Sequence, residues 1–121
     1  MLTTHILKAA KQAAPSLAAV DTELKNRALS AMADALEADC DIILQENAKD
    51  MAVAKDHLSQ SRLDRLALTK ERIRGMAEGI RQVVLLPDPV GRVRSRIERP
   101  NGIVIDRVGV PAGVIAIIYE S

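Results

Sequence analysis

A thiol, two imidazoles, a glycine pair and a terminal Tyr-Glu-Ser are the parts of this sequence that could do chemistry. Cys40 is the one cysteine, and it stands between Asp39 and Asp41. A nucleophilic thiolate needs cationic neighbours, whereas adjacent carboxylates oppose its ionisation. Cys40 therefore reads as a structural or half-buried helix residue, and no catalytic residue is assigned. His5 and His57 lie far apart in polar contexts. They make neither a general-base pair nor a metal ligand set, so no metal is expected. Gly109-Val110-Pro111-Ala112-Gly113 precedes an apolar run instead of following a strand as a phosphate cradle would, so it reads as a bend. Tyr119-Glu120-Ser121 follows that run, Val114 to Ile118. Ligands in open α/β sheets bind outside the carboxyl ends of strands, which makes these three residues either ligand contacts or an ordinary strand exit.

The elements that must position these residues follow from periodicity. Thr3 or Thr4 can cap a helix carrying Ile6, Leu7, Ala10, Ala13 and Ala14, perturbed or ended by Pro15 or extended beyond a kink there through Leu17 and Val20. Asp21 or Thr22 caps a second, whose stripe is Leu24, Ala28, Ala31 and Ala35 with Met32 and Leu36 beside it. Asp39 and Asp41 suit the start of a third, with Ile42, Ile43, Val53 and Ala54 along it. Ser59 to Leu68 reads as a connection with some helical character. Thr69 caps a further helix with buried face Ile73, Met76, Ala77, Ile80, Val83 and Val84, in which Gly75 and Gly79 suggest close packing or mobility. Pro87-Asp88-Pro89 stops it.

After Gly91 the period becomes two. Val93, Ser95 and Ile97 alternate with Arg92, Arg94, Arg96 and Glu98, and Pro100-Asn101-Gly102 marks a turn before Ile103 to Asp106. The pattern is a β-hairpin with an arginine-rich, solvated face. Val114 to Ile118 suits a strand buried on both sides of a parallel sheet, which needs neighbouring strands and covering helices. The expectation is the front part of a larger α/β protein, organised as a helical region over 1–91, a hairpin arm over 92–107 and a first strand over 108–121. An isolated piece would leave Val114 to Ile118 unpaired and prone to aggregation.

Composition narrows the classes. Phe and Trp are absent and Tyr119 is the only aromatic, which disfavours base-stacking platforms for single-stranded nucleic acid. A single cysteine excludes an internal disulfide and fits a reducing compartment. No apolar run approaches the ~20 residues of a membrane span, and the amino terminus lacks a secretory pattern, so a cytoplasmic address is expected. The net charge of +1 conceals an asymmetry: residues 1–61 carry six Lys and Arg against nine Asp and Glu, residues 62–107 eleven against six. The basic half could attract an acidic or nucleic-acid partner, although solvated strand faces explain the same arginines.

Ser61-Arg62-Leu63-Asp64-Arg65-Leu66, Leu86-Pro87-Asp88-Pro89-Val90-Gly91, Arg99-Pro100-Asn101-Gly102 and the run from Val110 to Ser121 carry a resemblance in their order and spacing. So does the Ala-rich stretch Met32 to Glu37. The sequence resembles the glutamate-5-semialdehyde dehydrogenase (gamma-glutamyl phosphate reductase) family of the aldehyde dehydrogenase-like superfamily. Ala112 and Ala116 stand where Leu and Gly are expected, both packing changes. The resemblance implies an α/β fold in which helices lead into a β-hairpin arm for oligomerisation and then into the first strand of a Rossmann-type domain. It implies NADPH-dependent reduction of L-glutamyl 5-phosphate to L-glutamate 5-semialdehyde in proline biosynthesis, with a functional link to glutamate 5-kinase and a homo-oligomer joined through the hairpin. It implies neither a membrane nor a nucleic-acid partner. The family's nucleophilic cysteine lies far downstream and does not match Cys40, so this chain alone is expected to be inactive. Ile118, Tyr119, Glu120 and Ser121 fall where one rim of the cofactor cleft is implied. The alternative is a non-catalytic interaction module that uses the arginine-rich hairpin.

Overall fold

The computed structural model describes residues 2–118. Among them are five helices and two strands: α1 Leu2–Ala18, α2 Thr22–Ala38, α3 Cys40–Ala54, α4 Gln60–Leu66, α5 Lys70–Val84, β1 Val93–Glu98 and β2 Val104–Val108. The chain divides into two compact units, one of residues 23–86 and one of residues 2–22 with 87–118. Among the described residues no helix is long and apolar enough to cross a membrane.

The helical unit is built on α3, which packs against α4 and α5. The apolar spacing of α5 places Ile73 and Ala77 in the interior, at 1% and 0% exposure, with Ile80 and Val84 half-buried behind them. This is the i, i+4, i+7, i+11 stripe of an amphipathic helix. Thr69 caps it: the extended backbone of this residue lets its hydroxyl accept from the Arg72 N–H at 3.1 Å. Met76 and Val83, expected on the same face, lie on its exposed flank. Gly75 and Gly79 have open space where a Cβ would stand, so the close packing expected there is not made with any described residue.

On α2 the buried face differs from the expected one. Leu24, Ala28, Ala31 and Ala35 are exposed; Ala33 is fully buried, with Leu29 and Leu36 half-buried along its line. Alanines stand on every side of this helix, so apolar spacing alone does not select its inner face. The connection after α3 contains the short helix α4, held by Asn47: its amide donates to the Leu66 carbonyl at 2.9 Å and accepts from the Leu68 N–H at 2.8 Å.

In the second unit α1 continues through Pro15 to Ala18, and most of its surface is exposed. Pro15 lies in the last turn of α1, where it removes one N–H donor from the helix ladder without ending the helix. β1 and β2 form an antiparallel hairpin with Glu98 opposite Val104, Ile97 opposite Ile105, Arg96 opposite Asp106 and Ser95 opposite Arg107; the register shifts between Val93 and Ser95. The Arg99 carbonyl accepts from the Gly102 N–H, and the Arg99 N–H donates to the Ile103 carbonyl, both at 2.9 Å. Gly102 takes the positive φ of 83° that closes this three-residue loop, and Asn101 does not share it.

The base of the hairpin explains the first glycine of Gly109 to Gly113. Gly109 donates to the Arg92 carbonyl at 3.0 Å and accepts from the Gly91 N–H at 2.9 Å. A Cβ there would collide with the Pro89 carbonyl oxygen. Beyond it, residues 109–118 have no regular secondary structure. The buried strand expected over Val114 to Ile118 is not formed in this chain: Val114, Ile115, Ile117 and Ile118 are 48–99% exposed. A central strand exists only where neighbours satisfy its backbone groups, and no described strand lies beside it.

Candidate functional site

Of the expected cofactor-rim residues, Ile118 is described and Tyr119, Glu120 and Ser121 lie outside the described residues. Ile118 is almost wholly exposed and lines none of the grooves described below. His5 and His57 are exposed on α1 and in the turn after α3. Among the described residues no group of His, Cys, Asp and Glu is placed to hold a metal ion.

Cys40 opens α3 and is half-buried. It lines a groove of about 430 Å³ with Glu37, Asp41, Lys70, Ile73 and Arg74. The fold thus adds two cations to the carboxylates that flank Cys40 in sequence, and the spacing gave no sign of them because they come from α5. Lys70 lies 3.2 Å from Asp41. A hydrogen bond to the Asp41 carboxylate raises its pKa above the ordinary lysine value.

A second groove, of about 470 Å³, is apolar and is lined by Met32, Ala35, Leu36, Ile42, Ile43 and Ile80. Met32, Ala35 and Leu36 are the residues the helical spacing assigned to the inner face of α2, and here they line an open surface.

Ion pairs fasten the helices at positions the sequence did not single out. Arg81 on α5 reaches Asp34 at 2.8 Å and Glu37 at 2.7 Å on α2. The hydrogen bond from Arg81 holds the Glu37 carboxyl below its ordinary value. Glu37, followed by Asp34, raises Arg81 further above its own. Arg72 binds the Asp64 and Ala67 carbonyls and the Asp64 carboxylate, tying the end of α4 to the start of α5. The Glu71 carboxyl is lowered by its own backbone N–H, with a smaller contribution from the Thr69 hydroxyl.

On the hairpin, Arg96 donates two hydrogen bonds of 2.7 Å to Asp106, which lowers the Asp106 carboxyl and raises Arg96. Arg107 lies opposite Ser95, whose face is not that of Arg96. The single arginine-rich face expected from alternation is therefore divided between both sides of the ribbon.

No family model matches the chain. The gamma-glutamyl phosphate reductase of Anoxybacillus flavithermus is 50% identical over 115 residues, which are 94% of this chain and 28% of that protein. The protein of the same name from Desulforamulus reducens is 54% identical over 118 residues, 97% of this chain and 28% of the relative. The crystal structure of gamma-glutamyl phosphate reductase from Thermotoga maritima has a TM-score of 0.80 at 35% identity, covering 86% of this chain and 25% of its own. That from Saccharomyces cerevisiae has a TM-score of 0.81 at 36% identity, covering 88% and 28%. The chain spans about 28% of the length of the curated relatives it matches. Over nearly all of its length, then, this chain is homologous to the gamma-glutamyl phosphate reductases and matches the N-terminal portion of their fold.

Proposed function

We propose that this chain is the N-terminal portion of an oxidoreductase that reduces L-glutamyl 5-phosphate to L-glutamate 5-semialdehyde with NADPH, in proline biosynthesis and in the cytoplasm. The observation that carries the reading is sequence identity near one half over almost the whole chain to relatives that bear the reductase name. In this reading residues 1–91 are a helical scaffold, 92–107 an arm for subunit contact in a homo-oligomer, and 108–121 the first strand of the cofactor domain. Ile118, Tyr119, Glu120 and Ser121 then approach the cofactor once that domain is complete. Its acyl-phosphate substrate requires a kinase acting on glutamate, which is the functional partner the reading implies.

A nicotinamide cofactor supplies the hydride when bound. Of the candidate cofactor residues only Ile118 is described, 99% exposed in an irregular segment. No hydride-transfer step is therefore assigned to them. Cys40 is not the nucleophile: it opens a scaffold helix beside a lysine already engaged by Asp41. What the chain contributes to the reaction is position, through the helices, the arm and the strand that leads to the cofactor.

The test is genetic. A bacterium that needs proline because it lacks its own reductase receives this sequence joined in frame to the remaining portion of the Anoxybacillus flavithermus relative. Growth without proline is expected from the joined chain, with or without Cys40→Ser, and not from the 121-residue chain alone. A soluble joined chain that fails to support growth contradicts the reading.

A further inference from the structure

The tip of the hairpin sets an asparagine directly before a glycine, at Asn101-Gly102. Both residues are exposed, and nothing beyond the chain neighbours stands where a Gly102 Cβ would be. A glycine has no side chain to shield its nitrogen from the carboxamide before it. That carboxamide is held locally: its Oδ1 accepts from the Ile103 N–H at 3.2 Å. The bond is the Asx turn that asparagine makes with its own backbone two residues on. It spans only residues 101–103, so it needs no strand pairing to form. The ring it closes runs through both the Asn101 carboxamide carbon and the Gly102 nitrogen. One contact opposes their reaction, the Gly102 N–H donating to the Arg99 carbonyl at 2.9 Å. It belongs to an exposed loop tip, where single backbone bonds open at little cost in free energy. The other two asparagines are placed differently. Asn26 and Asn47 lie inside α2 and α3, half-buried, and precede Arg27 and Ala48. A helix commits the following N–H to the carbonyl four residues back. Both ends of the Asn47 amide are further taken up by Leu66 and Leu68.

We propose that Asn101-Gly102 is a self-modifying site, with water as its only co-reactant. When the Gly102 N–H leaves the Arg99 carbonyl, its nitrogen attacks the Asn101 carboxamide carbon and a C–N bond forms. The negative charge that develops on Oδ1 meets the Ile103 N–H already donating there, an arrangement that stabilises an oxyanion. The bond from the carboxamide carbon to its own nitrogen then breaks. The proton lost by the Gly102 nitrogen goes to the leaving group, and ammonia departs. The product is a cyclic succinimide, which water opens at either of its carbonyls. Addition at the former side-chain carbonyl gives aspartate. Addition at the main-chain carbonyl gives isoaspartate, in which the chain runs on through the side-chain carbon. Atoms balance as one water in and one ammonia out, with no change of oxidation state. Either product adds a negative charge at the hairpin tip. Isoaspartate also inserts a carbon into the main chain of the loop, which moves Gly102 away from its place against Arg99. The proposal stands on these contacts and does not rest on the reductase reading.

The test incubates the 121-residue chain in warm, mildly alkaline buffer and follows each asparagine by peptide mapping in a mass spectrometer, with fragmentation that separates aspartate from isoaspartate. Conversion at Asn101 is expected to outpace that at Asn26 and Asn47 by roughly tenfold or more, because a nucleophile held beside its target reacts faster than one engaged elsewhere. Isoaspartate is expected beside aspartate, since only the ring leads to it. Gly102→Ala sets a methyl group beside the attacking nitrogen. Ile103→Pro deletes the donor to Oδ1 and leaves the carbonyl that pairs with Arg99. Each is expected to slow conversion several-fold. Circular dichroism checks that both variants keep the fold, and the product ratio in the unaltered chain needs no variant. The proposal is overturned by conversion at Asn101 no faster than at Asn26 or Asn47, by aspartate without isoaspartate, which is direct hydrolysis, or by an unchanged rate in either folded variant. No reductase activity enters the readout, so failure here leaves the functional reading standing.

Discussion

At the scale of single residues, the side chains that hold this fold are mostly not those whose chemistry stands out in the sequence. Asn47 clamps α4 with both atoms of its amide, partly buried. Asn47→Ala is expected to destabilise the helical unit by about 1–3 kcal/mol, because the Leu68 N–H and Leu66 carbonyl lose their partner; urea unfolding measures it. Gly109 is fixed by a different constraint, the Pro89 carbonyl that leaves no room for a Cβ. Gly109→Ala is expected to open the base of the hairpin, seen as loss of amide protection at Gly91 and Gly109 in hydrogen exchange, while Gly113→Ala strains only the tail.

The Arg81 pair gives a pH dependence with a definite sign. Its hydrogen bond lowers the folded-state pKa of Glu37 from 4.5. A carboxylate lowered on folding contributes stability that is present above its unfolded pKa and is lost as pH falls through the folded one. Asp106 behaves alike through Arg96. The melting temperature is therefore expected to decline below the ordinary carboxylate range, and the decline shrinks in Arg81→Ala. Both pairs are exposed, so the effect is small.

At the scale of elements, legibility in the sequence follows the distinctness of the pattern. The hairpin was legible from strict alternation around Pro100-Asn101-Gly102, and the core line of α5 from Ile73, Ala77, Ile80 and Val84. The inner face of α2 was not, because its alanines give no contrast in size or polarity between sides, and the choice falls to tertiary packing. The division of arginines between the hairpin faces was hidden too, since alternation within one strand does not disclose which residue of the other stands opposite. Lys70 and Arg74 beside Cys40 are a long-range pairing that spacing cannot report. Tyr119, Glu120 and Ser121 were legible as candidates from their place after the apolar run, and Ile118 was added through family resemblance; only Ile118 lies among the described residues, in a segment without regular structure. On α5, Gly75 and Gly79 meet open space. Gly75→Ala and Gly79→Ala are each expected to stabilise this chain by up to about 1 kcal/mol through helix propensity, read from thermal melts. If the remaining reductase fold packs against these glycines, the same changes destabilise the joined chain.

At the scale of the whole molecule, the described surface is short of cover. Only Ala33, Ile73 and Ala77 are buried among the described hydrophobic residues, while the groove at Met32, Leu36, Ile42 and Ile80 and the run from Val114 to Ile118 stay open. Apolar surface on this scale marks a contact region. The chain spans about 28% of its relatives' length, and in the proposed reading the remaining polypeptide supplies that contact. Ile117→Lys is expected to raise the solubility of the 121-residue chain, measured as the concentration at which it begins to aggregate, and to harm the joined chain, where the proposed reading makes this run a central strand.

The most direct measurement is an assay of purified chains in the reverse direction, with glutamate semialdehyde, phosphate and NADP. The 121-residue chain is run beside the same sequence joined to the remaining portion of the Anoxybacillus flavithermus reductase. Turnover in the joined chain, none in the 121-residue chain and no loss on Cys40→Ser is the result expected of an N-terminal scaffold. Turnover by the 121-residue chain itself, or a folded joined chain that is inert, contradicts it.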